Sequence, residues 1–408
     1  MIFFSHQFAV FTALFFVAYW AIPLPLSRRL LLLLASVTFQ IHFSGPAGVL
    51  PILVLAIGTY LVALSRNRTL CAIWIAVCAC ALIFYKYTHF LFQGILGIAF
   101  PDLANAGEQA LANIVPLLPP LGISFFIFEF VHYLIEIRRG HRPILSPLSF
   151  ALFISFWPSL VAGPIKRYRQ YIVSLSYGAR NVSSDDVIAG MIRVAIGTGK
   201  KFGGDILTGW IQTQQPVFDS LPLSVRWVIV IAIGFRILLD FSGYSDMAIG
   251  FARMMGIRLP ENFNWPYLAY SITDFWRRWH ISLSTWIRDY IYIPLGGSRH
   301  GLLRKAFNGF AAMALCGLWH GSAWNFVLWG IYHGAGLALA GAVNLPKPLT
   351  GELRAGFSTF PEAMTTATFF AWRVASWLIT MLFVQIGWLL FFYPADQALH
   401  MASRLFAR

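Results

Sequence analysis

Apolar runs of bilayer-crossing length recur from one end of this 408-residue chain to the other, and no other feature restricts its folding more. A search for about twenty apolar residues per span picks out segments near 7–25, 30–44, 47–64, 69–85, 120–137, 146–164, 186–203, 223–240, 303–319, 322–342 and 366–393. The pattern predicts an all-α, polytopic membrane protein. With 58% hydrophobic and only 11% charged residues, a soluble domain around one core is excluded. A net charge of +14 raises the question of nucleic acid, but the 30 Lys and Arg sit in small groups at the ends of apolar runs. That distribution fits cytoplasmic flanks of membrane helices, so no nucleic-acid partner is expected. Cys71, Cys78, Cys80 and Cys316 all fall inside apolar segments without metal-ligand spacing and read as small buried hydrophobes. No metal site is expected. The first run, with no basic segment before it and no small-residue cleavage pattern, reads as a retained span.

Charge also orients the spans. Arg28-Arg29, Arg66 with Arg68, and Arg138-Arg139 with Arg142 follow the first, third and fifth runs, which predicts those loops on the cytoplasmic side. The stretch from Lys86 to Pro119, carrying Asp102 and Glu108, then falls outside. The alternation fails at Lys166-Arg167-Tyr168-Arg169, which is basic where a full crossing by 146–164 would make it external. Pro158 and Gly163-Pro164 interrupt that run, so it reads as a re-entrant or half-spanning hairpin whose backbone must be shielded by protein. Asn181 to Asp186 reads as a loop and helix cap.

Ser271 to Tyr290 carries the clearest local pattern. Ser271 and Asp274 have capping-box spacing, and Trp276, Trp279, Leu283, Trp286 and Tyr290 form one stripe of a helix. Arg277, Arg278, Ser284, Thr285, Arg288 and Asp289 occupy the other side. The pattern predicts one amphipathic helix on the membrane surface, with tryptophans at headgroup depth and arginines in water. His280, at the stripe's edge, can point inward or rest at the interface bonded to backbone; both readings stand. His320 lies in Gly317-Leu318-Trp319-His320-Gly321-Ser322, between two apolar runs and flanked by glycines, which predicts a helix end with room beside the ring. An ionisable ring in such a setting is either functional or a structural histidine satisfied by a neighbouring helix. His333 falls on a different helical face from His320 and reads as structural or supporting.

A polar cluster, Asp240-Phe241-Ser242-Gly243-Tyr244-Ser245-Asp246, interrupts the run before it. Its carboxylates are expected to pair with buried arginines such as Arg236 or Arg277, or to line a wet cavity. Lys200-Lys201 and Lys166-Arg167 either hold a phosphorylated donor at the cytoplasmic face or follow the ordinary bias of cytoplasmic flanks.

Several of these segments together resemble the membrane-bound O-acyltransferase family. They are Asp274 to Trp286, Tyr292-Ile293-Pro294-Leu295-Gly296-Gly297, Leu318-Trp319-His320-Gly321 and Trp329 to Gly334. Upstream, Leu121 to Phe126, Leu160 to Ile165, Asp240 to Asp246 and Glu261-Asn262-Phe263 resemble the same family, and within it the bacterial branch that acylates alginate and teichoic acid. The segment Gly387 to Phe392 departs from the pattern in lacking an arginine after its phenylalanines. The resemblance implies roughly 10–12 spanning or half-spanning helices ringed around a thin centre, with a tunnel in which a cytoplasmic acyl donor meets an acceptor from outside. It implies a single membrane domain over 1–408, with N-terminal helices to 164, a catalytic core over 165–342 and C-terminal helices over 343–408.

The family's catalytic histidine maps onto His320 and its second active-site histidine onto His280. A thioester carbonyl attacked by a hydroxyl needs a neutral base nearby, which His320 would supply, while His280, Tyr244 or an amide would orient the donor or support the oxyanion. Asp240, Ser242, Asn262, Arg277, Arg288 and Trp319 are further candidates for the tunnel or donor site. No serine or cysteine nucleophile stands out, so direct transfer through a ternary complex is expected. The implied donor is an acyl thioester, acetyl-CoA or an acyl carrier protein, used as substrate with no permanently bound cofactor. The implied setting is the bacterial inner membrane, with a periplasmic acetyltransferase and a polysaccharide-synthesising machinery as partners. D-alanyl transfer to teichoic acid is the enzymatic alternative, and a secondary transporter or flippase the other; the absence of a detectable two-fold repeat counts against the latter.

Overall fold

A computed structural model describes residues 5–113, 119–299, 301–342 and 362–406, and all regular structure among them is helical. The chain divides into two compact units, Met1–Gly199 with Gly243–Pro260, and Lys200–Ser242 with Glu261–Arg408.

The first unit begins with α1 (His6–Ala21), α2 (Pro25–Ser65) and α3 (Arg68–Leu82), the last continuing into π-helical turns at Ile83–Tyr87 and Phe90–Leu96. The predicted runs 30–44 and 47–64 are the two halves of α2, broken where Gly45 takes φ 71°. Only glycine adopts that conformation freely. The segments Gly48–Ser65 and Arg68–Tyr87, together with Thr368–Phe392 in the second unit, are long and apolar enough to cross a membrane. After α4 (Pro101–Ala112) and α5 (Ile123–Arg138) comes α6 (Pro147–Ser155). Its nine residues rise only about 14 Å, less than half of a hydrocarbon core about 30 Å thick. One 3-10 turn at Trp157–Ser159 and an irregular stretch then lead to α7 (Tyr168–Gly178).

Trp157 is fully buried at the centre of this unit, with the rings of Phe8, Phe11, Phe15 and Phe251 between 5.2 and 5.8 Å away. Lys166 lies in the same interior. Its Nζ is 2.6 Å from Glu129 Oε1, donates to Ser159 Oγ at 3.1 Å and sits among the rings of Phe153, Phe156 and Tyr171. A buried cation needs such a counter-charge. Lys166 therefore faces inward and does not offer its charge to a donor at the surface, as the sequence alone had allowed.

Ser183 caps α8 (Ser184–Gln214): its Oγ accepts from Asp186 N–H and donates to the Asp186 carboxylate, both at 3.1 Å. Gly190 and Gly197 of α8 meet Gly250 and Gly243 of α9 (Leu223–Met254), so the helices run antiparallel and touch backbone to backbone. A Cβ on Gly190 would stand 2.7 Å from the Gly250 carbonyl oxygen. Small residues permit this approach where apolar burial adds little driving force between helices.

α9 runs without interruption through the polar cluster at 240–246. The cluster's charges find partners on α8, not on the arginines expected: Asp246 pairs with Arg193 at 2.8 Å in the first unit, and Asp240 with Lys201 in the second. Lys201 also bonds Asp205 at 2.7 Å, which removes it from any donor site. Arg236 instead donates to Thr208 Oγ1 at 3.0 Å and lies over Phe392.

The second unit continues with α10 (Ile272–Arg278), α11 (Ile281–Ile287) and a π turn at Arg288–Tyr292. α12 (Gly301–His320), α13 (Trp324–Ala342), α14 (Glu362–Phe392) and α15 (Ala395–Arg404) complete it. α12 and α13 form a hairpin in which Gly317 and Gly330 lie against each other; a Cβ on Gly317 would come within 2.9 Å of the Gly330 Cα.

Candidate active site

The expected continuous helix over 271–290 is two short helices. The capping box starts α10 as predicted, with Ser271 Oγ accepting from Asp274 N–H at 3.1 Å, but the helix stops at Arg278. Trp279 turns extended and His280 takes φ 42°, the left-handed conformation, before α11 begins at Ile281. A non-glycine residue in that region costs on the order of 1–3 kcal/mol and persists only where its surroundings enforce it.

Asn262 provides the enforcement from eighteen residues upstream. Its backbone carbonyl accepts from Ile281 N–H at 2.9 Å. Its Oδ1 accepts from Ser282 N–H at 3.2 Å and from Ser282 Oγ at 2.9 Å, and lies 3.1 Å from His280 Nδ1. The side chain thus caps α11 and grips the imidazole together.

The periodic stripe survives the break, but its environment differs from the one expected. Trp276, Trp279 and Trp286 are 8%, 3% and 4% exposed, enclosed by protein and not presented to a lipid surface. Trp279 packs on Phe275 and Trp388, and Trp276 on Trp329 and His333. α13 and α14 supply the apolar surface that a lipid interface would otherwise have to provide.

His320 is the last residue of α12, half-buried, with Trp319, Phe391 and Trp329 around it at ring separations of 4.7, 5.0 and 5.2 Å. The Gly317–Gly330 crossing draws α13 close enough for Trp329 to form that wall. His280 approaches from the other side, its ring 6.5 Å from His320, 6.0 Å from Trp319 and 4.6 Å edge-on to Phe241. The two histidines singled out in the sequence, forty residues apart, share one aromatic chamber. His333 lies behind it, fully buried and packed on Trp329, Trp276 and Phe383.

A cavity of about 860 Å³ adjoins the chamber. Arg277, Arg288 and Lys305 line it with positive charge, Ser284 and Thr285 add hydroxyls, and Trp276, Ile281, Met313 and Cys316 make apolar wall. Ile281 follows His280 and Cys316 stands one helical turn before His320, so the cavity wall is continuous in sequence with both histidines. Arg277 and Arg288 were legible as candidates; Lys305 and Cys316 were not, because only the folded hairpin brings them to α10 and α11.

The remaining candidates separate. Trp319 belongs to the chamber, and Asn262 supports it without lining the cavity. Asp240 is committed to Lys201, and Ser242 is buried on α9. Tyr244 belongs to the first unit, where its hydroxyl meets the backbone of Val161 and Ala162.

Comparison with known proteins identifies the family. The model of the membrane-bound O-acyltransferase family matches residues 117–345, a stretch containing both histidines. The chain is 34% identical to the probable alginate O-acetylase AlgI of Azotobacter vinelandii, over 100% of this chain and 77% of that protein. It is 35% identical to the probable alginate O-acetylase AlgI of Pseudomonas aeruginosa, over 89% of this chain and 66% of that one. With the peptidoglycan O-acetyltransferase of Helicobacter pylori it shares 30% identity over 90% of this chain and 71% of that protein. Across the alginate relatives the chain spans between 54% and 77% of their length. The chain belongs to the membrane-bound O-acyltransferase family.

Proposed function

We propose that this protein moves acetyl groups from a cytoplasmic thioester to hydroxyls of an exported polysaccharide such as alginate, with His320 as the base. The observation that carries the reading is the pair of histidines in one aromatic chamber beside a cavity lined by three cations. The donor, acetyl-CoA or an acylated carrier protein, presents phosphate and a long arm ending in the thioester. Arg277, Arg288 and Lys305 suit the phosphate by charge, Ser284 and Thr285 suit the amides of the arm, and the apolar wall leads the thioester towards His320. In the transfer the acceptor oxygen bonds to the thioester carbon and the C–S bond breaks. The hydroxyl proton passes through His320 to the departing sulfur, so the histidine ends as it began. Enclosure by Trp319, Trp329 and Phe391 limits water, and with it hydrolysis of the thioester.

The setting proposed is the bacterial inner membrane, with a periplasmic acetyltransferase and the polysaccharide-synthesising machinery as partners in delivery. The purified full-length protein in vesicles, given acetyl-labelled CoA on one side and soluble acceptor on the other, should transfer label to the acceptor side. Transfer from a D-alanyl carrier in place of acetyl thioester would replace this reading with teichoic-acid chemistry. Transport of an unaltered solute with no acyl transfer would replace it with a transporter.

A further inference from the structure

The contacts of Asn262 decide which nitrogen of His280 carries the proton. The backbone N–H of Ser282 can only donate, so the atom of the Asn262 carboxamide facing it at 3.2 Å is the oxygen. The same oxygen lies 3.1 Å from His280 Nδ1. Two oxygen- and nitrogen-borne lone pairs at that distance would repel, so Nδ1 bears a hydrogen and donates it. In the neutral ring Nε2 is then bare. Nε2 is fully buried and makes no hydrogen bond among the described residues. A polar atom enclosed in this way requires an explanation, and a group delivered into the chamber during turnover supplies one.

We infer that Asn262 is a positioning residue that holds His280 in the tautomer protonated on Nδ1, making Nε2 a hydrogen-bond acceptor for substrate. The inference rests on the reading of the histidine pair as the site of acyl transfer. Of the two parts the sequence allowed His280 it keeps one: a neutral His280 of this tautomer has no free hydrogen to give an oxyanion, so its part is to receive and orient a donor group. The left-handed backbone at His280 has the same source, since the carbonyl of Asn262 fixes Ile281 while its side chain fixes the ring.

Among the described residues the His280 ring meets Phe241 from α9, Asn262, and Trp319 and His320 from α12; of these His320 alone is a titratable group. A pH profile therefore reports on the pair. Nitrogen NMR of the full-length protein carrying labelled histidine, with the His280 signals identified by their loss in His280→Gln, tests the tautomer directly. At neutral pH Nδ1 should be protonated and Nε2 not, and Asn262→Ala should mix the tautomers. A protonated Nε2 in the unaltered protein overturns the inference.

Turnover supplies the second arm. Asn262→Ala should lower kcat on the order of 10²-fold with the donor KM little changed. Asn262→Asp keeps the acceptor oxygen but adds a negative charge that favours the imidazolium. Its activity should recover towards alkaline pH, with the acid limb displaced upward. An Asn262→Asp profile superposable on that of the unaltered protein would reduce Asn262 to a helix cap and overturn the proposal. A fully active His280→Gln would instead remove the catalytic reading of the pair while leaving the tautomer measurement standing.

Discussion

His320, His280 and His333 are three imidazoles within one aromatic cluster, and burial and contact separate their roles. His320 is half-buried at a helix end and can meet an incoming group; His333 is enclosed between Trp329, Trp276 and Phe383. His333→Ala should therefore leave kcat within about tenfold while lowering thermal stability through the cavity it creates. Thermal unfolding and turnover on one preparation check both, and a loss of kcat without loss of stability would move His333 into the chemistry. His320 was legible in the sequence because glycines flank it between two apolar runs. The left-handed turn at His280 was not, since a hydrophobic stripe can continue across a single reversed residue. Nor was the part of Asn262, whose partners lie eighteen to twenty residues away and meet it only after folding.

At the scale of elements, α10 and α11 do two things that one amphipathic helix was expected to do. Their buried side joins the core of the second unit, and their arginines line the cavity. Trp279, 3% exposed against Phe275 and Trp388, should cost about 3–5 kcal/mol when changed to Ala, seen as lost membrane yield or a lower unfolding temperature. An unaltered unfolding temperature would return the tryptophan to the lipid interface. Reversal of charge at Arg277, Arg288 and Lys305 should raise the KM for an anionic thioester donor, most at low salt, where screening is weakest. Donor titrations at two ionic strengths measure this, and an unchanged KM would leave the cavity without a part in donor binding. The stripe and the arginines were visible as periodicity; the cavity was not, because it needs α10, α11, α12 and α13 to converge. The polar cluster at 240–246 misled for a related reason: α8 carries the compensating Arg193 and Lys201, so α9 has no need to break.

For the whole molecule, the apolar runs predicted where helices lie better than where they end. The runs at 30–44 and 47–64 became one helix broken at Gly45, and the interrupted run at 146–164 a nine-residue helix too short to span. Side of the membrane is a separate property, written in the basic flanks. Residues 28–29, 66–68 and 138–142 should be cytoplasmic and 90–115, of which the last two lie outside the described residues, external. With Cys71, Cys78, Cys80 and Cys316 replaced, Asn105→Cys should react with an impermeant maleimide in intact cells and Arg68→Cys should not. The opposite pattern would invert the donor and acceptor sides.

If His320 is the base of acyl transfer, its loss must show in single-turnover transfer of labelled acetyl by purified protein. His320→Ala, matched to the unaltered protein in membrane level and donor affinity, should lose on the order of 10²–10⁴-fold in the transfer rate. Transfer at a near-normal rate would remove His320 from the chemistry.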